Sequence, residues 1–129
     1  MQANRYAYLA PVILRLALGA VFIVHGLPKL TNSAAVAPFF GKLGIPAPGV
    51  MVLVVGAIEL IGGALLLIGF GVRLAAALLA AVMLGAILTA KRGAPFVGGW
   101  EYDMVLLAGA VSLVLSGPFG ERVPGHRLR

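Results

Sequence analysis

VVGAIELIGGALLLIGFG, residues 54–71, is apolar from end to end apart from one carboxylate, Glu59. With Val50–Leu53 ahead of it, the apolar run reaches the ~20 residues that a helix needs to cross a bilayer. It reads as a membrane span with an acid inside it. A charge at mid-bilayer costs about 2.5–3.5 kcal/mol on insertion scales, so it calls for a partner.

The rest of the chain fits that solvent. Of 129 residues, 61% are hydrophobic and 11% charged, and mean hydropathy is +1.07. Soluble domains average roughly 45–50% apolar and about 25% charged residues. Three further apolar segments flank the first, giving spans at about 8–27, 50–70, 74–90 and 100–116. The expectation is an all-α, integral membrane four-helix bundle forming a single domain over 1–129, with a basic tail at 117–129. Residues 9–27 carry Arg15 inside the apolar run and no small-x-small pattern follows, so they read as a retained span rather than a cleaved signal.

The connections differ in kind. Gly69 and Gly71 predict a tight turn between spans two and three. Between spans one and two, PKLTNSAAVAPFFGKLGIPAPG has Asn32 or Ser33 as a cap and Gly44 as a stop, which predicts a short interfacial helix. Small residues should let helices approach closely: Gly19 and Gly26 on span one, Gly56 and Gly63 on span two, and Ala77, Ala81 and Gly85 on span three.

The chain has no cysteine, which excludes disulfides and thiolate ligands, and its net charge is +6. The basic residues sit in short loops and at the ends of the spans. They suit anionic lipid headgroups rather than nucleic acid. With both termini on one side, that side carries Arg5, Arg73, Arg122, Arg127 and Arg129, against Lys29, Lys42, Lys91 and Arg92 on the other. The excess is small, and Arg15 adds to it, so the positive-inside rule leans to cytoplasmic termini.

Depth selects a counter-ion for Glu59. Counted from the terminal side, Glu59 lies roughly 16 Å deep and Arg15 roughly 10 Å at the helical rise. The gap of about 6 Å is within an arginine's reach, so Arg15 is the expected partner. Helical phase puts Arg15, Phe22, Gly26 and Lys29 on one face, with His25 at its margin. A polar strip from Arg15 and Glu59 to His25, Lys29 and Glu101 is therefore expected, opening among Phe22, Phe39, Phe40, Trp100 and Tyr102. Simpler roles compete: register for an Arg–Glu pair, snorkelling for Lys29, and dipole compensation at a helix start for Glu101 and Asp103.

These motifs resemble the DoxX family of small four-span bacterial membrane proteins. The resemblance rests on RLALGAVFIVHGLPKL at 15–30, on FFGKLGIPAP, on IELIGGALLLIGFGVRLAA, and on Glu101, Gly117 and Pro118. The family's usual Ser-x-Asp ending is replaced here by GPFGERVPG. The resemblance implies a bacterial inner (plasma) membrane protein acting as membrane subunit of a quinone-linked redox complex. Its intramembrane polar site would be Arg15, His25, Lys29, Glu59 and Glu101. No intrinsic cofactor or metal is expected. Quinone is the implied ligand, and redox partner proteins, the lipid bilayer and a homo-oligomer are the implied associates. No haem or nucleotide motif is present, so a partner would have to supply electrons and whether the chain is itself an enzyme stays open. The alternatives are a small-molecule or proton conduit and a membrane scaffold for soluble enzymes.

Overall fold

The computed structural model describes residues 4–119. Five helices follow in order: α1 Leu9–Thr31, α2 Ser33–Lys42, α3 Pro48–Ile68, α4 Val72–Leu88 and α5 Glu101–Ser116. The turn Phe96–Trp100 winds directly into α5. Three segments are long and apolar enough to cross a membrane: Leu9–Thr31, Pro48–Ile68 and Phe96–Ser116. The apolar α4 is shorter, at 17 residues. In lipid the backbone must satisfy its own hydrogen bonds, which is why apolar runs rich in Val and Ile still become helices here.

The helices run up and down, so α1, α3, α4 and α5 place alternate ends together. One end holds the start of α1, the α3–α4 turn and the end of α5. The other holds the end of α1, α2, the start of α3, the end of α4 and the start of α5. The first end is called here the terminal end, the second the loop end. The core lies between the four long helices and includes Leu18, Phe22, Leu66, Leu79, Met83, Leu106 and Leu113.

The α3–α4 turn is as tight as its glycines predict. Gly69 and Gly71 have φ of 76° and 57°, a region that disfavours any side chain. The loop-end helix α2 also forms where expected, and it packs on α3. Its two phenylalanines part company: Phe40 is buried and Phe39 is 51% exposed.

Boundaries shift in places. Span one runs to Thr31 rather than to residue 27, past Pro28. Proline deletes a ladder donor, but side chains engage the carbonyls nearby. The Thr31 hydroxyl donates to the Leu27 carbonyl at 3.0 Å, and the Lys29 ammonium donates to the His25 carbonyl at 3.0 Å. Span three begins two residues early and ends two residues early, at Leu88. Residues 120–129, most of the basic tail, lie outside the described residues.

Close packing concentrates on one seam. A β-carbon added to Gly19 would stand 2.7 Å from the Gly63 carbonyl oxygen, and one at Gly63 would stand 2.8 Å from that of Gly19. Further along, one at Gly26 would stand 2.7 Å from the Leu60 nitrogen. These are backbone atoms that cannot yield. The small residues of α4 behave otherwise, against expectation: Ala77, Ala81 and Gly85 are exposed, and nothing lies within 4 Å of a β-carbon at Gly85. The buried stripe of α4 is instead Val72, Ala75, Ala76, Leu79 and Met83.

Candidate functional site

Glu59 does find its cation on α1, but the cation is Lys29. The Lys29 Nζ stands 2.8 Å from Glu59 Oε2, with the two side chains 20% and 4% exposed. The seam makes room for the pair. Gly26 faces Glu59, where a β-carbon would come within 2.8 Å of the Glu59 Cβ. Gly56 faces Lys29, where one would come within 2.8 Å of the Lys29 Cβ. Each charged residue thus has a glycine opposite it on the other helix.

The expected Arg15–Glu59 pair does not form, and helix geometry explains why. Side chains tilt toward the N-terminus of their own helix. On antiparallel helices, Lys29 and Glu59 therefore lean toward each other, while Arg15 leans away toward the end of α3. The glycine contacts also set the register, pairing Gly19 with Gly63 and Gly26 with Gly56. On that register Arg15 lies level with the α3–α4 turn, roughly 12 Å or more along the axis from Glu59. Depth alone, counted from predicted span ends, could not give this offset.

Arg15 has other work at the terminal end. It is 7% exposed, and its Nη1 donates to the Leu66 carbonyl at 3.2 Å. That carbonyl belongs to the last turn of α3, where carbonyls lack intrahelical donors and the helix carries partial negative charge. The Phe119 ring lies over the guanidinium at 5.3 Å. Gly69 is required here a second time, because a β-carbon would run into the guanidinium.

The remaining candidates divide. The exposed His25 ring packs against Tyr102 at 6.2 Å, tilted by 47°, which ties the loop end of α1 to the start of α5. Its backbone carbonyl shares the Lys29 ammonium with Glu59. The backbone of His25 thus touches the Lys29–Glu59 pair, while its ring is turned to Tyr102. Glu101 is turned elsewhere: its Oε1 accepts the Gly98 N–H at 3.0 Å and closes the turn into α5. Trp100 stacks edge-on with Phe96 at 4.7 Å. Phe22 is 1% exposed and belongs to the packed core rather than to a pocket wall. Two surface grooves among the described residues run along α5 and between α3 and α4. Neither is lined by Glu59, His25 or Glu101.

One buried acid was treated by sequence reasoning only as a dipole partner. Asp103 is 9% exposed, on the inward stripe of α5 with Leu106, Ala110 and Leu113. Its spacing of three and seven residues from Leu106 and Ala110 was the available signal. Lys91 lies 3.9 Å from Asp103 Oδ2.

Comparison with known proteins agrees with the motif-based resemblance. The family model described as DoxX matches residues 10–92. A Bacillus subtilis (strain 168) protein named "Putative oxidoreductase CatD" is 40% identical over 88% of this chain and 84% of its own length. A Mycobacterium tuberculosis protein, "Uncharacterized membrane protein Rv3486", is 31% identical over 83% of this chain and 74% of its own length. No solved structure matches the chain.

Proposed function

Because the chain belongs to the DoxX family and is a multi-pass membrane protein, we propose that it is the membrane subunit of a quinone-linked redox complex. We place it in a bacterial plasma membrane with both termini in the cytoplasm. The name of the Bacillus subtilis relative supports an oxidoreductase setting. The observation that carries the reading is the Lys29–Glu59 pair. A carboxylate 4% exposed and an ammonium 20% exposed meet at 2.8 Å inside an apolar bundle, with the ammonium also donating to the His25 backbone carbonyl.

The pair offers what a quinone head needs, a donor and an acceptor next to hydrocarbon. The Lys29 ammonium has three donors. Two serve Glu59 and the His25 carbonyl, and the third is free to meet a quinone carbonyl oxygen. Glu59 then stands one hydrogen bond behind that donor, placed to exchange a proton through it. Tyr102 and His25 border the approach from α5 and α1. The electrons come from a partner protein.

The test is direct. Protein purified from its native membranes should carry quinone, read by mass spectrometry. Glu59→Gln should lower quinol oxidation by the assembled complex about 100-fold, the scale of a lost proton-transfer group. Absence of quinone, together with unchanged quinol oxidation in a deletion strain, would remove the reading.

A further inference from the structure

The two ends of the bundle differ in how their charges are matched. Both ion pairs among the described residues, Lys29–Glu59 and Lys91–Asp103, lie toward the loop end, and Glu101 closes a turn there. The terminal end holds Arg5, Arg15 and Arg73 and, among the described residues, no acid. Arg15 is buried and engaged with the Leu66 carbonyl, and the Arg5 guanidinium lies over the Tyr6 ring at 4.9 Å. Arg73, in the first turn of α4, is exposed. Its guanidinium stands beside Gly117, where a β-carbon would come within 2.8 Å of Nη2.

Gly117 is also where the outer groove of α5 ends. That groove has about 660 Å³ of free volume, within the ~300–1,000 Å³ of ligand clefts. Met104, Leu107, Val111 and Leu115 make it apolar, and Ser112 and Ser116 line it toward the terminal end. The Ser116 hydroxyl donates to the Gly117 carbonyl at 3.2 Å. The last lining residue and the Arg73 guanidinium therefore meet on the same glycine. From Met104 to Ser116 is roughly 18 Å at the helical rise, slightly more than one leaflet of a ~30 Å hydrocarbon layer. An apolar channel thus runs along the bilayer normal and ends at a guanidinium at headgroup depth. Guanidinium binds phosphate through two parallel hydrogen bonds.

We propose that Arg73 and the outer groove of α5 bind an anionic phospholipid, with its phosphate on the guanidinium and an acyl chain along the groove. A zwitterionic lipid fits the groove equally well, but its own ammonium already offsets the phosphate charge. The site shares no residue with the Lys29–Glu59 pair and is independent of the quinone reading.

The purified full-length protein in detergent tests this with dioleoyl phosphatidylglycerol and dioleoyl phosphatidylcholine, which share their chains and differ in net charge. Native mass spectrometry counts each lipid retained from an equal mixture. The wild type should retain the glycerol lipid about fivefold over the choline lipid, the scale of one basic residue near an anionic surface. Arg73→Gln should bring the two within about twofold of each other, and Arg73→Lys, which keeps the charge, should hold the preference. Ala108→Phe, which fills the groove, should lower retention of both lipids and leave their ratio unchanged. Arg92→Gln, which removes an exposed cation from the loop end, should alter neither. Equal retention of the two lipids by the wild type would overturn the site. A preference that survives Arg73→Gln, or that Arg92→Gln lowers as much, would overturn it too, since the attraction would then be spread over the cations at large. Unchanged retention in Ala108→Phe would overturn it by removing the groove. A wild-type dimer that Ala108→Phe converts to monomer would assign the groove to a second copy, with the same consequence.

Discussion

The α1–α3 seam and the α4–α5 seam join antiparallel helices in the same bundle, and each has a lysine–acid pair at the loop end. Across α1–α3, glycines bring backbone against backbone, and Lys29 and Glu59 close to 2.8 Å. On the α4–α5 side the core holds larger side chains, among them Met83 and Leu106, and Lys91 stands 3.9 Å from Asp103. In lipid, apolar side chains gain little from leaving their surroundings, so close packing and polar pairing supply most of the adhesion. By that measure the first seam contributes more of the adhesion, and the second holds its ion pair loosely.

The comparison would break most visibly at Gly63. Gly63→Leu drives a side chain into the Gly19 carbonyl and Ile23, and should destabilise by about 3 kcal/mol. Unfolding by sodium dodecyl sulfate titration would measure it. A near-wild-type midpoint would show that the seam can spread without cost.

Cutting each lysine sharpens the contrast. Lys29→Met strands Glu59 without a cation and should cost about 2–3 kcal/mol by the same titration, near the low end for broken buried pairs. Lys91→Met removes a half-exposed partner that makes no hydrogen bond, and should cost less than about 1 kcal/mol. Equal losses would erase the distinction between closed and open pairs. The smallest effect belongs to the outward face of α4, where Gly85→Ala meets open space. It should leave stability unchanged or raise it by about 0.5 kcal/mol through helix propensity. A marked loss would mean that this face packs against something.

Much of this was legible in the residues. Long apolar runs announce their helices, and the Gly69–Gly71 turn and the end of α2 at Gly44 follow from glycine positions, although Asn32 at the start of α2 makes no side-chain capping bond. The face of α1 carrying Arg15, Phe22, Gly26 and Lys29 follows from a 3.6-residue period. The pairing of Glu59 was harder, because it depends on axial register and on the tilt of side chains toward helix N-termini. Register came from glycine contacts between helices, which a single sequence does not align. The outward turn of Ala77, Ala81 and Gly85 was hidden for another reason. In a helix apolar on every side, hydropathy does not distinguish the lipid face from the protein face. Asp103 shows the same limit from the polar side: its place at a helix start suggested a dipole role, and only its inward stripe revealed a buried carboxylate.

The union of Lys29 with Glu59 spans thirty residues of chain. A ribosome feeding this sequence to a translocon delivers the amine well before the carboxylate has been made. While it waits, the nascent first helix carries an uncompensated cation near the end of its apolar stretch, and that helix stays better placed at the translocon's wet interior or the headgroup layer. Entry into oil becomes favourable once α3 emerges and the two can leave together. The first half of the chain is thus built to partition as a pair of helices, and α4 and α5 join an assembly already formed.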